Sequence, residues 1–212
     1  MSAGSRGRPR RVRRGEAGFT LVELVVAMSL LSLLAGLVMA VVVGATRETV
    51  TATNSADDAA DLRRAYTVLD AQVRSAEALN RATAQAGAWY LEMRLAPADA
   101  GGASSCAQWR LSADGTLAYR TYPTSGTTGA SGWRTVVTEL VVPAATATPP
   151  LQMQPADAVH GRQRLEVALT AEHGSTRSAQ LDVTLVARNT TASTVTNGLT
   201  TTTHVCTQGG RP

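Results

Sequence analysis

Residues 13–47 read "RRGEAGFTLVELVVAMSLLSLLAGLVMAVVVGATR", and the fold is decided there. Leu24 to Val43 is twenty residues without a charge, its only polar members Ser29 and Ser32. At about 1.5 Å rise per residue such a run is roughly 30 Å long as a helix, the thickness of a bilayer's hydrocarbon core. One carboxylate, Glu23, sits at its edge. A charge inside a membrane costs on the order of 2.5–3.5 kcal/mol on insertion scales, so Glu23 calls for a specific partner.

Charge along the chain points the same way. The formal net charge is +4 and every basic residue is arginine. Arg6, Arg8, Arg10, Arg11, Arg13 and Arg14 all precede Gly18, opposed only by Glu16. Residues 1–18 therefore carry +5 and residues 19–212 carry −1. An arginine cluster on the N-terminal side of an apolar span places that side in the cytoplasm and the chain beyond Arg47 outside. Bulk charge gives no support to a basic groove for nucleic acid, although a local patch stays open.

Three other readings of the run fit it less well. A secretory signal cut after Ala45 suits its small residues, but the apolar stretch exceeds the usual 7–15 or so residues. A twin-arginine signal using Arg13-Arg14 lacks apolar residues just after the pair. A plain signal anchor explains the hydrophobicity and leaves "GFTLVE" unexplained.

Gly18-Phe19-Thr20-Leu21-Val22-Glu23-Leu24, between a basic leader and an apolar run, resembles the processing signal of the type IV pilin and pseudopilin family. The resemblance covers roughly residues 10–45. It implies that a prepilin peptidase cuts between Gly18 and Phe19 and that Phe19 is then N-methylated. It further implies that Glu23, in the fifth position of the mature chain, pairs with the cationic amine of Phe19 in a neighbouring subunit of a filament. A glycine before the cut presents no side chain to a protease cleft. The implied partners are the peptidase, other pilins or pseudopilins and one membrane, crossed once. The implied place is the inner or cytoplasmic membrane with the N-terminus in the cytoplasm, and then a pilus or pseudopilus.

Beyond the span, Leu62, Tyr66, Leu69, Val73, Ala76 and Leu79 step by three and four, the mark of one helical face. This predicts a helix from Phe19 to about Arg81, with residues 47–56 as a weak point where it bends or frays. Asp57, Asp58, Asp61, Arg63, Arg64, Asp70 and Arg74 form the expected solvated face. After "QAGA" the period changes to two. Trp89, Leu91, Met93 and Leu95 alternate with Tyr90, Glu92 and Arg94. "CAQWRLS" and "TLAYRTY" flank an Ala113-Asp114-Gly115 turn, 133–142 is a further strand, and two more strands hold Leu165–Leu169 and Leu181–Leu185. Residues 143–161 read as a long mobile surface loop.

The expected fold is α+β and pilin-like, a long N-terminal helix packed on an antiparallel head. The expected divisions are a leader (1–18), a membrane and assembly helix (19–46), its amphipathic extension (47–84) and a β-rich head (85–212). Cys106 and Cys206 are the only cysteines. They have one internal connectivity, a disulfide that persists outside the cytoplasm, with two separate thiols as the alternative. His160, His173 and His204 show no metal-ligand spacing and no catalytic motif is present, so no cofactor, metal or enzymatic activity is expected. The run "LRRAYTVLDAQVRSA" (62–76) with "LDVTLVARN" (181–189) resembles minor pseudopilins at the filament tip, the J-type or W-type subunits. An adhesin or DNA-uptake receptor displayed by the same signal is the alternative.

Overall fold

The computed structural model describes residues 18–99, 101–173, 176–198 and 204–206. The leader arginines, the tip of the last hairpin and residues 199–203 of the Thr-rich loop lie outside the described residues. The chain divides into two units, residues 1–49 and 50–212. One helix, α1 (Leu21–Ser75), contributes to both. It stays helical through the Thr- and Ser-rich residues 47–56, where bending or fraying was expected. Thr46 and Thr49 donate their hydroxyls to the carbonyls of Val42 and Ala45, four residues back, so these hydroxyls are satisfied without leaving the helical conformation.

In the second unit α1 buries a stripe of Leu62, Ala65, Leu69 and Val73. Its centre is Ala65, while Tyr66 is only partly buried. Asp58 belongs to the same stripe and is 7% exposed, so it is not on the solvated face where its charge suggested. The reason is its spacing: positions 58, 62, 65, 69 and 73 share one side of a helix.

The helix ends at Ser75, six residues before the expected Arg81. The Ser75 carbonyl accepts from Ala96 N at 3.0 Å and from Asn189 Nδ2 at 3.2 Å. The next residues become strand β1 (Ala76–Leu79), paired antiparallel with β3 (Ala88–Leu95). Ala76 and Leu79 are buried, as the helical period implied, but in a strand.

The first sheet has the order β1-β3-β4-β5-β6, with β4 (Ser105–Leu111), β5 (Leu117–Pro123) and β6 (Arg134–Val137). Strand β2 (Thr83–Gln85) pairs with β3 through the Ala86-Gly87 turn, where both residues have positive φ, 49° and 75°. The expected alternation in β3 is replaced by burial of both faces: Tyr90 and Glu92 are as buried as Leu91 and Met93. Glu92 accepts from Gln108 Nε2 at 2.8 Å. Cys106, on the same face as Glu92 and Gln108, packs with Tyr122 and Cys206 under Ala130 and Val205.

A second sheet has the order β7-β8-β9, from β7 (Leu151–Gln154), β8 (Arg164–His173) and β9 (Thr176–Val186). Strand β7 lies inside the segment expected to be a mobile loop. Leu151 and Met153 point into the core, and that burial orders it. The strand expected over 133–142 stops at Val137, because Glu139 takes φ 59° and turns the chain. Leu140 then bridges Ala171, and Val141 N donates to Thr170 O at 2.9 Å, so this crossing ties the two sheets together. The β4–β5 turn docks on the same crossing. Leu140 N donates to Gly115 O at 3.0 Å, and a Cβ on Gly115 (φ 80°) would fall 2.5 Å from Leu140 O. The fold is α+β and pilin-like, one long N-terminal helix followed by antiparallel sheets.

Candidate functional site

Gly18, Phe19 and Thr20 precede α1. A Cβ on Gly18 would meet nothing within 4 Å, so nothing in the fold requires glycine there. Phe19 is 81% exposed. Thr20 is the N-cap: its carbonyl accepts from Leu24 N at 3.1 Å and its hydroxyl from Glu23 N at 3.3 Å. Thr20-x-x-Glu23 is thus the first half of a capping box, a role for Thr20 legible in the spacing but not read from it.

Glu23 stands in the first turn of α1, exposed and close to the positive end of the helix dipole. Among the described residues nothing pairs with its carboxylate. Every residue from Gly18 through Thr53 is exposed, including the whole apolar run. That run is long and apolar enough to cross a membrane. An exposed apolar surface of this size needs a non-aqueous surround, lipid or other apolar helices.

The two cysteines form a disulfide with Cα atoms 6.0 Å apart. It holds Val205 and Cys206 on the face of the first sheet, where Val205 N donates to Asn80 Oδ1 at 3.0 Å. Among the described residues no three His, Cys, Asp or Glu side chains converge as a metal site. His173 Nδ1 lies 3.0 Å from Asp58 Oδ2, an ion pair by distance that joins α1 to the end of β8. His160 sits beside Asp157, whose carboxylate accepts from the backbone N–H groups of His160 and Val159. Those two bonds, helped by the neighbouring His160 ring, hold the Asp157 carboxyl below the usual range.

One cluster on the head was missed from the sequence. The guanidinium carbons of Arg110 and Arg120 lie 4.3 Å and 4.6 Å from the centre of the Trp133 ring. Strands β4 and β5 supply the arginines and the loop before β6 supplies the tryptophan, so only strand register brings them together.

Residues 13–45 match the family model described as the prokaryotic N-terminal methylation motif. No curated protein and no solved structure gives a significant match to the chain. The matched residues span the end of the basic leader, Gly18, Phe19, Glu23 and the exposed apolar half of α1, so this segment is a type IV pilin-like signal.

Proposed function

We propose that the chain is a minor pilin or pseudopilin, a structural subunit that helps to initiate or cap a type IV pilus or a type II secretion-like pseudopilus. The observation that carries this reading is one conjunction: a pilin-like signal continues into the apolar half of α1, where every residue is exposed. A prepilin peptidase cuts between Gly18 and Phe19, and the new amine on Phe19 is methylated without losing its charge. The Glu23 carboxylate, unpaired among the described residues of its own chain, then meets that amine on a neighbouring subunit and sets the axial register. The leader remains in the cytoplasm, the span occupies the inner or cytoplasmic membrane and the head lies outside. The head carries no reaction in this reading.

The mature N-terminus is the direct test. Mass spectrometry of the purified protein should find N-methylated Phe19 as the first residue; an intact leader or a cut after Ala45 would overturn the reading. Glu23→Leu should leave that cleavage intact and remove the protein from sheared filaments. Normal incorporation would refute the pairing.

A second reading has one observation in its favour. The Arg110–Trp133–Arg120 stack is the kind of arginine and aromatic cluster that a displayed adhesin or DNA-uptake receptor needs. Replacing Trp133 with Ala should leave filament incorporation unchanged in the structural reading and weaken ligand capture in the receptor reading.

A further inference from the structure

Strand β9 has a free edge. Among the described residues it pairs with β8 and with no other strand. Ala187 N donates to Gln163 O in the same register that pairs Val186 with Arg164. Antiparallel pairs alternate, so the main chains of Leu181, Val183 and Leu185 face β8 while those of Gln180, Asp182, Thr184 and Val186 face outward. The opposite edge of β8 is consistent with this phase: Ala168 N donates to Pro150 O, and Glu172 N to Glu139 O. At the start of the free edge, the Ser178 carbonyl accepts from Ser55 Oγ on α1 at 2.6 Å. From Gln180 to Val186 no donor or acceptor among the described residues meets the outward groups.

Such an edge is a template for another strand, and proteins normally guard it. The other edge of this sheet is guarded: β7 has four residues, with Pro149 and Pro150 before it and Pro155 after it. Strand β9 has eleven residues and no proline. Its core-facing side chains are also left partly uncovered. Ala179 and Leu181, with Ala59, Leu62 and Tyr66 of α1, line an open groove of about 330 Å³. A second groove of about 180 Å³ lies between Tyr66, Asp70 and Arg74 and the Val183–Val186 stretch.

The charge on this groove is one-sided. Arg74 is neutralised by Asp70 at 2.8 Å. Arg63 at the first groove and Arg188 at the second have no carboxylate partner among the described residues. Asp182 is on the other, solvent-facing side of β9.

We propose that the β9 edge is a docking site for one extended strand of another protein, adding to the sheet beside Gln180–Val186. The strand has apolar residues at alternate positions, which enter the two grooves, and carboxylates towards its ends, which meet Arg63 and Arg188. About seven residues, roughly 23 Å, span the edge. A second copy of this chain fits less well. Pairing β9 with itself would bring two arginine-rimmed grooves together, and its only carboxylate, Asp182, faces away from them. This proposal stands apart from the filament reading and fails or holds without it.

The test uses the full chain in detergent micelles with a synthetic nine-residue peptide, alternately valine and threonine with glutamate at both ends. Binding should protect the amides of Gln180, Asp182, Thr184 and Val186 from hydrogen exchange, with their odd-numbered neighbours little changed. Thr184→Pro removes one outward N–H and no bond to β8, and should weaken the peptide by about tenfold or more. Arg63→Glu with Arg188→Glu tests the charge without touching the backbone, and should weaken the acidic peptide by about tenfold while favouring a lysine-ended version. No binding at millimolar peptide, equal binding of the acidic and basic peptides, or protection elsewhere on the head would overturn the proposal. So would a concentration-dependent dimer, abolished by Thr184→Pro, that excludes the peptide, because the edge would then serve self-association.

Discussion

The two halves of α1 are made of similar side chains and meet opposite fates. Leu34 in the first half is 61% exposed, whereas Leu69 in the second is fully buried. Nothing in leucine distinguishes them. What differs is the company: the first half is apolar on all sides, while the second alternates a narrow stripe with charged residues and finds two sheets to receive it. A helix that is apolar all round needs an apolar solvent; one with a stripe needs a core. Burial in the chain's own fold thus measures only part of what a residue is built for.

Substitutions in the head and the span can break this contrast, in order of effect. Replacing Cys206 with Ser opens a loop of 100 residues and should cost the head up to about 4–5 kcal/mol, read as a lowered denaturation midpoint in micelles. If the midpoint did not move, the head would owe nothing to its C-terminal tether. Leu69→Ala should cost about 2–5 kcal/mol by leaving a cavity, while Leu34→Ala should leave the head's midpoint unchanged. Equal effects would erase the distinction between the halves. Gly115→Ala should cost roughly 1–3 kcal/mol, since it combines strain at positive φ with a clash against Leu140 O. Thermal unfolding followed by near-UV circular dichroism of Trp89 and Trp109 reads the loss.

The smallest effect concerns pH and is confined to the head. The folded Asp157 carboxyl titrates below the usual range. Its contribution is therefore present above the ordinary aspartate range and is lost as pH falls through the lowered value. Asp157→Asn should flatten the acid limb of the stability curve slightly. A carbon NMR titration of Asp157 with an ordinary midpoint would remove the basis for that expectation.

Sequence periodicity was sufficient where one rule governed a segment. The apolar run, the hairpin of β4 and β5, and its turn at Ala113–Gly115 could all be read because each depends on neighbours in the chain. The helix end could not. Ala76 and Leu79 keep helical spacing, and the Ser75 carbonyl finds its partners at Ala96 and Asn189, far along the chain. Asp58 was misplaced because its charge outweighed its position, and its companion His173 lies 115 residues away. Strand β7 was hidden by surrounding prolines that read as loop yet cap a strand at both ends. The burial of Glu92 was not legible from alternation in β3, because its partner Gln108 is supplied by the register of the next strand. At the signal, the motif that contains Gly18, Phe19 and Glu23 was legible as a pattern, and the Thr20-x-x-Glu23 capping spacing was open to the same kind of reading.

The Cys106–Cys206 bond also imposes an order of events. Residue 106 leaves the ribosome well before residue 206, and in the proposed topology both must cross the membrane before an oxidant reaches them. The first sheet can assemble early, but its outer face stays open until Val205 and Cys206 arrive and are locked down. A closed disulfide is then a chemical record that residues 106 and 206 have both been exported, and a filament that admits only locked heads would admit only those.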